Sequence, residues 1–256
     1  MDMFLQFLCI PFLLILLKHA IAPPQERDLA NKKKIPLELD IVEKPASRIT
    51  ATPSRKHPNG THYSVKSASR HTHIIGDVTE CTAVILPGNP RHMSRFVLVV
   101  PREDGSKYVR VVTRKRDDGR YVNKIKEFVK KPDYEWYARI KRDQVEIELL
   151  TQKNDNIICV EKDPETGVET FTVRPEMSDH VTIGTVEYSG FVVNQSVSGL
   201  MSRKVTLEKG DNCCYVGIES YYVDCVSYVL KYKINFADLE YPILVESRKK
   251  MMEFLE

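Results

Sequence analysis

The chain has 256 residues, 42% of them hydrophobic and 29% charged, with a formal net charge of +3. That length suits two ordinary domains, and the apolar content excludes a chain too polar to build a core. With 38 Lys+Arg against 35 Asp+Glu, overall charge names no partner by itself.

In chain order, residues 3–17 come first (MFLQFLCIPFLLILL) and are apolar at almost every position. A run of about fifteen falls short of the roughly twenty needed to cross a bilayer and has the length of a signal-peptide apolar region. Lys18 and His19 follow, then the small-x-small triplet Ala20-Ile21-Ala22. Segment 1–22 is therefore read as a cleaved signal peptide, against an uncleaved anchor or a buried N-terminal helix. Asp2 and Pro23 depart from the ideal pattern. The expected product is secreted and extracellular, with no membrane span, because no later stretch is apolar enough and the tail SRKKMMEFLE is charged throughout. Residues 23–34 read as a flexible charged leader.

The chain then reads as strands. Leu37, Leu39 and Ile41 alternate with Glu38 and Asp40, the period of two of a half-buried strand. Further strands are predicted at 61–66, 73–79, 96–100, 107–113 and 121–126. Pro58-Asn59-Gly60 and Glu103-Asp104-Gly105 supply turns between them. This β domain is bounded at 35–131, and a junction follows at 132–142. Trp136, the single tryptophan, lies there between Tyr134 and Tyr137. These aromatics are read as packing the domain interface and not as an exposed binding platform. A second β domain, 143–236, opens with Val145, Ile147 and Leu149 alternating with Glu146 and Glu148, and has turns at 164–167 and 209–212. The tail 237–256 is expected to carry a short helix over 247–255, where the composition is helical and no breaker intervenes.

The two domains are copies of one another. At an offset of 108, Leu37-Glu38-Leu39-Asp40-Ile41 falls on Val145-Glu146-Ile147-Glu148-Leu149, and Thr61-His62-Tyr63-Ser64-Val65 on Glu169-Thr170-Phe171-Thr172-Val173. Ile75-Gly76-Asp77-Val78 falls on Ile183-Gly184-Thr185-Val186. At 107, Tyr108-Val109 meets Tyr215-Val216, and Tyr121-Val122-Asn123-Lys124 meets Tyr228-Val229-Leu230-Lys231. A register held through several strands and loops points to duplication. Strands without intervening helices predict a mainly β protein of two tandem homologous antiparallel sandwich- or barrel-like domains with a short C-terminal helix.

Catalytic patterns are missing from the sequence: there is no GxSxG, no glycine-rich loop opening a helix and no HExxH. No enzyme activity and no cofactor are expected. His57, His62, His71, His73 and His92 all fall in the first copy, and His71-x-His73 on one strand face would need a third donor to hold zinc or copper. Asp179 and Val181 occupy the matching positions of the second copy. The histidines are therefore read as surface residues near a turn, and no metal site is assigned. Without Cys9 the cysteines are Cys81, Cys159, Cys213, Cys214 and Cys225. An odd number leaves one thiol free, buried or shared between chains, which keeps a disulfide-linked dimer open. Cys213 or Cys214 with Cys225, across a hairpin, are the disulfide candidates. Asn59-Gly60-Thr61 and Asn194-Gln195-Ser196 fit the N-glycosylation pattern.

Charge clusters in one stretch. Lys107, Arg110, Arg114, Lys115, Arg116, Arg120, Lys124 and Lys126 lie on two neighbouring strands predicted to put part of the set on one face. Such a face attracts polyanions, and equally serves as a solvated edge that blocks strand pairing. Behind a signal peptide the polyanion is a sulfated glycan in preference to nucleic acid.

The first strand ending in Leu39-Asp40-Ile41, the Tyr63 strand and the Lys107-Tyr108-Val109 strand, after a signal peptide and charged leader, resemble FAINT-type repeat domains. These belong to secreted proteins of piroplasm parasites (Theileria and Babesia). The family's Trp-bearing strand is missing, since Trp136 stands in the junction. The resemblance implies an exported protein with no catalytic residues to carry over. The expected function is non-enzymatic binding of a host protein or sulfated glycan through loops, the 107–131 face or the groove between domains. Alternatives are a self-associating surface-coat protein and a metal-dependent enzyme built on the first-copy histidines.

Overall fold

A computed structural model describes residues 33–251, and at 238–240 their backbone alone. The signal-peptide segment and the leader up to residue 32 lie outside the described residues. The first half contains β1 (Ile35–Asp40), β2 (Ile49–Pro53), β3 (Thr61–Val65), β4 (His73–Glu80), β5 (Ala83–Leu86), β6 (Ser94–Pro101), β7 (Lys107–Asp117), β8 (Arg120–Lys130) and β9 (Ala138–Arg139). The second contains β10 (Asp143–Glu148), β11 (Ile158–Lys162), β12 (Glu169–Val173), β13 (Val181–Tyr188), β14 (Phe191–Asn194), β15 (Leu200–Lys209), β16 (Cys213–Tyr222), β17 (Val226–Asn235) and β18 (Asp238–Met251).

Each half lays a three-stranded sheet against a six-stranded antiparallel one. The small sheets run β1-β4-β5 and β10-β13-β14; the large ones run β2-β3-β6-β7-β8-β9 and β11-β12-β15-β16-β17-β18. The protein is mainly β, in two halves of the same topology. One pairing differs from an all-antiparallel expectation: β1 runs parallel to β4, and β10 to β13. Leu39, Ile75, Val78, Val97, Val109 and Val111 fill the space between the first pair of sheets, and Ile147, Ile183, Val186, Val205, Val216 and Ile218 the second. These residues alternate along their strands with outward-facing ones, as the pleat requires.

The duplication extends to a buried device. Against β1, the β4 ladder slips between Leu37 and Leu39, and the same slip recurs between Val145 and Ile147 in β10. Gly76 and Gly184 sit at these bulges. A Cβ there would come within 2.9 Å of Pro36 Cβ and 2.8 Å of Gln144 Cβ respectively, so only glycine fits without a shift. Buried Arg95 donates from Nη1 to the Gly76 carbonyl at 2.5 Å and from Nη2 to the Pro87 carbonyl at 3.0 Å. Arg203 donates likewise to the Gly184 carbonyl and, through Nε, to Ser220 Oγ at 3.0 Å. Met93-Ser94-Arg95 and Met201-Ser202-Arg203 are thus the same tripeptide in the same place.

Two sequence readings are corrected. The tail carries strand through its described length: β18 pairs with β17 from Asp238 to Met251, and the predicted helix is not formed there. Residues 252–256 lie outside the described residues. The equivalence of the last strands is also not 107. Val111 faces Lys126 on β8, whereas its counterpart Ile218 faces Leu230 on β17. Lys126 therefore matches Leu230, an offset of 104, because the first-copy hairpin is three residues longer. An odd slip of this kind exchanges the two faces of a strand. No helix among the described residues is long and apolar enough to cross a membrane.

Candidate functional site

Residues 34–251 belong to one compact unit, and the two halves meet through the outer face of the first large sheet. Phe96, Val112 and Ile125 of that face pack against Met201, Val223 and Cys225 of the second half. The Ile125 amide donates to the Val223 carbonyl at 2.6 Å. Beside this apolar seam the halves part to form a cleft of about 560 Å³.

The cleft is lined by Lys56, Arg102, Arg110 and Arg142 from the first half and the junction, and by Arg203 and Lys204 from the second. Only two carboxylates, Glu127 and Asp179, oppose these six cations in its lining. Glu127, 7% exposed, accepts from the Tyr108 hydroxyl and from Arg142 Nη1 at 2.5 Å, with Arg110 Nε 3.7 Å away. Arg142 Nε donates to the Ser178 carbonyl at 2.5 Å, tying the junction to the second half. Arg102 grips Asp179 with both terminal nitrogens, at 2.5 and 3.0 Å, the fork geometry that suits a carboxylate. The Arg102 and Arg110 guanidiniums also lie 5.1 and 5.6 Å from the centre of the Tyr108 ring.

His57 senses the resulting field. Burial pushes its pKa down, and every charge that adds to the shift comes from a neighbouring base: Arg110, His62, Lys56 and Arg102. The cleft lining is thus predominantly basic, with its arginines held in place by Glu127, Asp179, the Tyr108 hydroxyl, Ser220 and backbone carbonyls.

Comparison of the chain with protein-family models, with curated proteins and with solved structures finds no match.

The predicted basic face divides between two sides of the sheet. Cross-strand pairing of Lys107 with Lys130, Val111 with Lys126, Thr113 with Lys124, Lys115 with Val122 and Asp117 with Arg120 puts Lys107, Lys115, Arg120, Lys124 and Lys126 on the sandwich side. Arg110, Arg114 and Arg116 point to the other side, towards the second half. Lys107 and Lys130 share the buried carboxylate of Glu80, Lys115 pairs with Asp117 at 2.6 Å, and Arg114 lies 4.6 Å over the Tyr121 ring. Of the eight residues only Arg110 lines the cleft. The other seven lie outside it.

The disulfide candidates are placed apart. On the β16–β17 hairpin Cys213 faces Asn235 and Cys214 faces Ile234, at the open end, while Cys225 occupies the turn at the other end. A bond from Cys213 or Cys214 to Cys225 would have to span the length of the hairpin, so that expectation is corrected. All five described cysteines are free thiols. Burial, reinforced by Asp224, pushes the Cys225 thiol up to about 12, and this side chain serves the seam between halves. Of the glycosylation candidates, Asn59 is exposed in a turn, with a φ of 60°. Asn194 is half-buried and donates to the Tyr232 hydroxyl at 2.9 Å. His71 sits in the turn before β4 and His73 is buried at its first residue, held to Thr72 Oγ1 at 2.8 Å. The two rings do not share a strand face, and among the described residues no group of three His, Cys, Asp or Glu is arranged to hold a metal.

The aromatics of the junction also differ from expectation. Tyr137 packs on the first core, but Trp136 and Tyr134 are 61% and 44% exposed. Sequence reading missed Lys56, Arg102, Arg142, Arg203, Lys204 and the two carboxylates. No local spacing marks a site assembled from both copies and their junction. The one pointer available was the duplication itself, which makes the groove between the two copies a candidate place.

Proposed function

We propose that the protein is a secreted, non-enzymatic binding protein whose inter-half cleft takes an anionic ligand, with a sulfated glycan as the ligand class. The carrying observation is the excess of six cations over two carboxylates in the cleft lining. Sulfate esters accept from guanidinium forks as carboxylates do, and their charge is not lost at any physiological pH. The N-terminal apolar segment and the resemblance to FAINT-type domains support an extracellular setting, in which sulfated glycans are the abundant polyanions.

The test is retention on immobilised heparin. Lys56 and Lys204 are exposed and can be changed without disturbing a core. K56S/K204S should elute at clearly lower salt than the parent, with a shallower dependence of affinity on salt, since fewer counterions are released. An unchanged elution position would overturn the cleft as the site. The hairpin variant K115S/R120S serves as comparison: a shift confined to that variant would move binding to the β7–β8 tip.

A further inference from the structure

We infer that the exposed Trp136–Tyr134 shelf is a second subsite of the same ligand, one that stacks on a sugar ring while the cleft holds its sulfates; this rests on the cleft reading above. The two rings meet at 80° with centroids 4.7 Å apart, so each braces the other in place. They border a recess of about 300 Å³ floored by Val129 and Ile140, with Lys131, Arg139 and Lys141 around it. That volume lies at the lower end of the range for small-ligand pockets, roughly 300–1,000 Å³.

The chemistry of the recess is mixed in a specific way. Aromatic faces are electron-rich and attract polarised C–H bonds, and the faces of a pyranose ring present such bonds. The three flanking cations supply partners for sulfate or carboxylate substituents on the same ring. Free-standing aromatics of this size are not needed for packing here, because Tyr137 alone of the three packs against the first core. The recess and the cleft also share a lining residue. Asp179 borders both, and is ion-paired there with Arg102 of the cleft. A linear glycan running past Asp179 places one sugar on Trp136 and the next charged units among Arg102, Arg142 and Lys204.

Trp136 is the only tryptophan in the chain, so its emission reports this subsite alone. Titration with a size-defined heparin fragment should shift the emission to shorter wavelength and saturate. W136A should bind a labelled fragment roughly tenfold more weakly, as loss of one stacked ring does elsewhere, and W136F should restore most of the affinity. Retention on heparin with still emission and an unaltered W136A would overturn the shelf and leave the cleft standing. Absence of heparin binding by the parent protein would overturn both. A shift produced by a single-stranded oligonucleotide and not by the heparin fragment would reassign the shelf to base stacking.

Discussion

Arg95 and Arg203 are 3% and 4% exposed, and a guanidinium so placed survives only where carbonyls replace its water. Each is matched to an acceptor that the bulge beside it turns out of the sheet ladder, at Gly76 or Gly184. Replacing the arginine with methionine keeps much of the apolar volume but leaves those carbonyls buried without donors. A loss of about 2 kcal/mol is expected for R95M and for R203M, the cost of one or two unsatisfied buried groups. Urea unfolding measures it as a lower midpoint at unchanged slope. Because the device is the same in both halves, the two losses should be alike. A loss in one half only would mean that the shared tripeptide is not doing the same job twice. The same residue scale explains what the sequence concealed. A buried arginine reads in sequence as a surface cation, since nothing in its neighbours announces the carbonyl it will meet.

At the scale of the strand, the alternation of apolar residues made β1, β3, β4, β6 and their counterparts legible, as it did the 108-residue offset that relates them. Where the reading failed, non-local pairing had overridden a local signal. Residues 247–251, with Arg248, Lys249 and Lys250, have helical composition, yet they are strand because β17 offers a complete ladder to join. The basic stretch of β7 and β8 looked continuous because pleating sorts its residues only once the register is known. One product of that sorting is the link between Glu80 at the end of β4 and both Lys107 on β7 and Lys130 on β8, which pins the small sheet to the large one. In the second half Tyr188 and Cys214 stand at the positions of Glu80 and Lys107 and join the apolar core, a replacement of ion pair by packing that proteins tolerate well. Burial opposes ionisation of Glu80, but hydrogen bonds and charge from the two lysines outweigh it and hold its pKa below the ordinary value. The group is depressed in the folded state, so its contribution is full above the unfolded pKa of about 4.3 and is lost as pH falls through the folded value. E80Q should cost about 3 kcal/mol near neutrality, since it leaves two lysines facing a neutral amide. Stability measured against pH should show the gap between E80Q and the parent closing below pH ~4; a gap that persists in acid would mean the carboxylate charge is not its cause.

At the scale of the whole molecule, the outer faces of the two large sheets differ in character. The first large sheet presents Phe96, Leu98, Val100, Val112 and Ile125 outward, and the second half covers part of this patch. At the corresponding positions the second large sheet carries Lys204, Thr206, Glu208, Glu219 and Val229. Another molecule docking on this face in the same manner would meet charge where the second half meets hydrocarbon on the first. This weighs against self-association through a repeat of the internal contact. Among the described residues the cleft is a feature of the pair, formed where the junction joins the two halves. A fragment of residues 35–142 should therefore expose the patch, bind a hydrophobic dye and elute as an oligomer, whereas 143–251 should elute as a monomer with little dye bound. Each of Phe96, Val112 and Ile125 contributes on the order of 1.5–3 kcal/mol when fully buried, so the exposed patch is worth several kcal/mol to any partner that covers it. Giving the first fragment the residues of the second, as F96K/V112E, should return it to a monomer. In the full chain the same pair of substitutions should split one unfolding transition into two, as the halves lose the seam that couples them. Equal behaviour of the two fragments, or a single transition in the substituted full chain, would show that the seam is held by the Arg102–Asp179 and Arg142–Glu127 links and not by its apolar face.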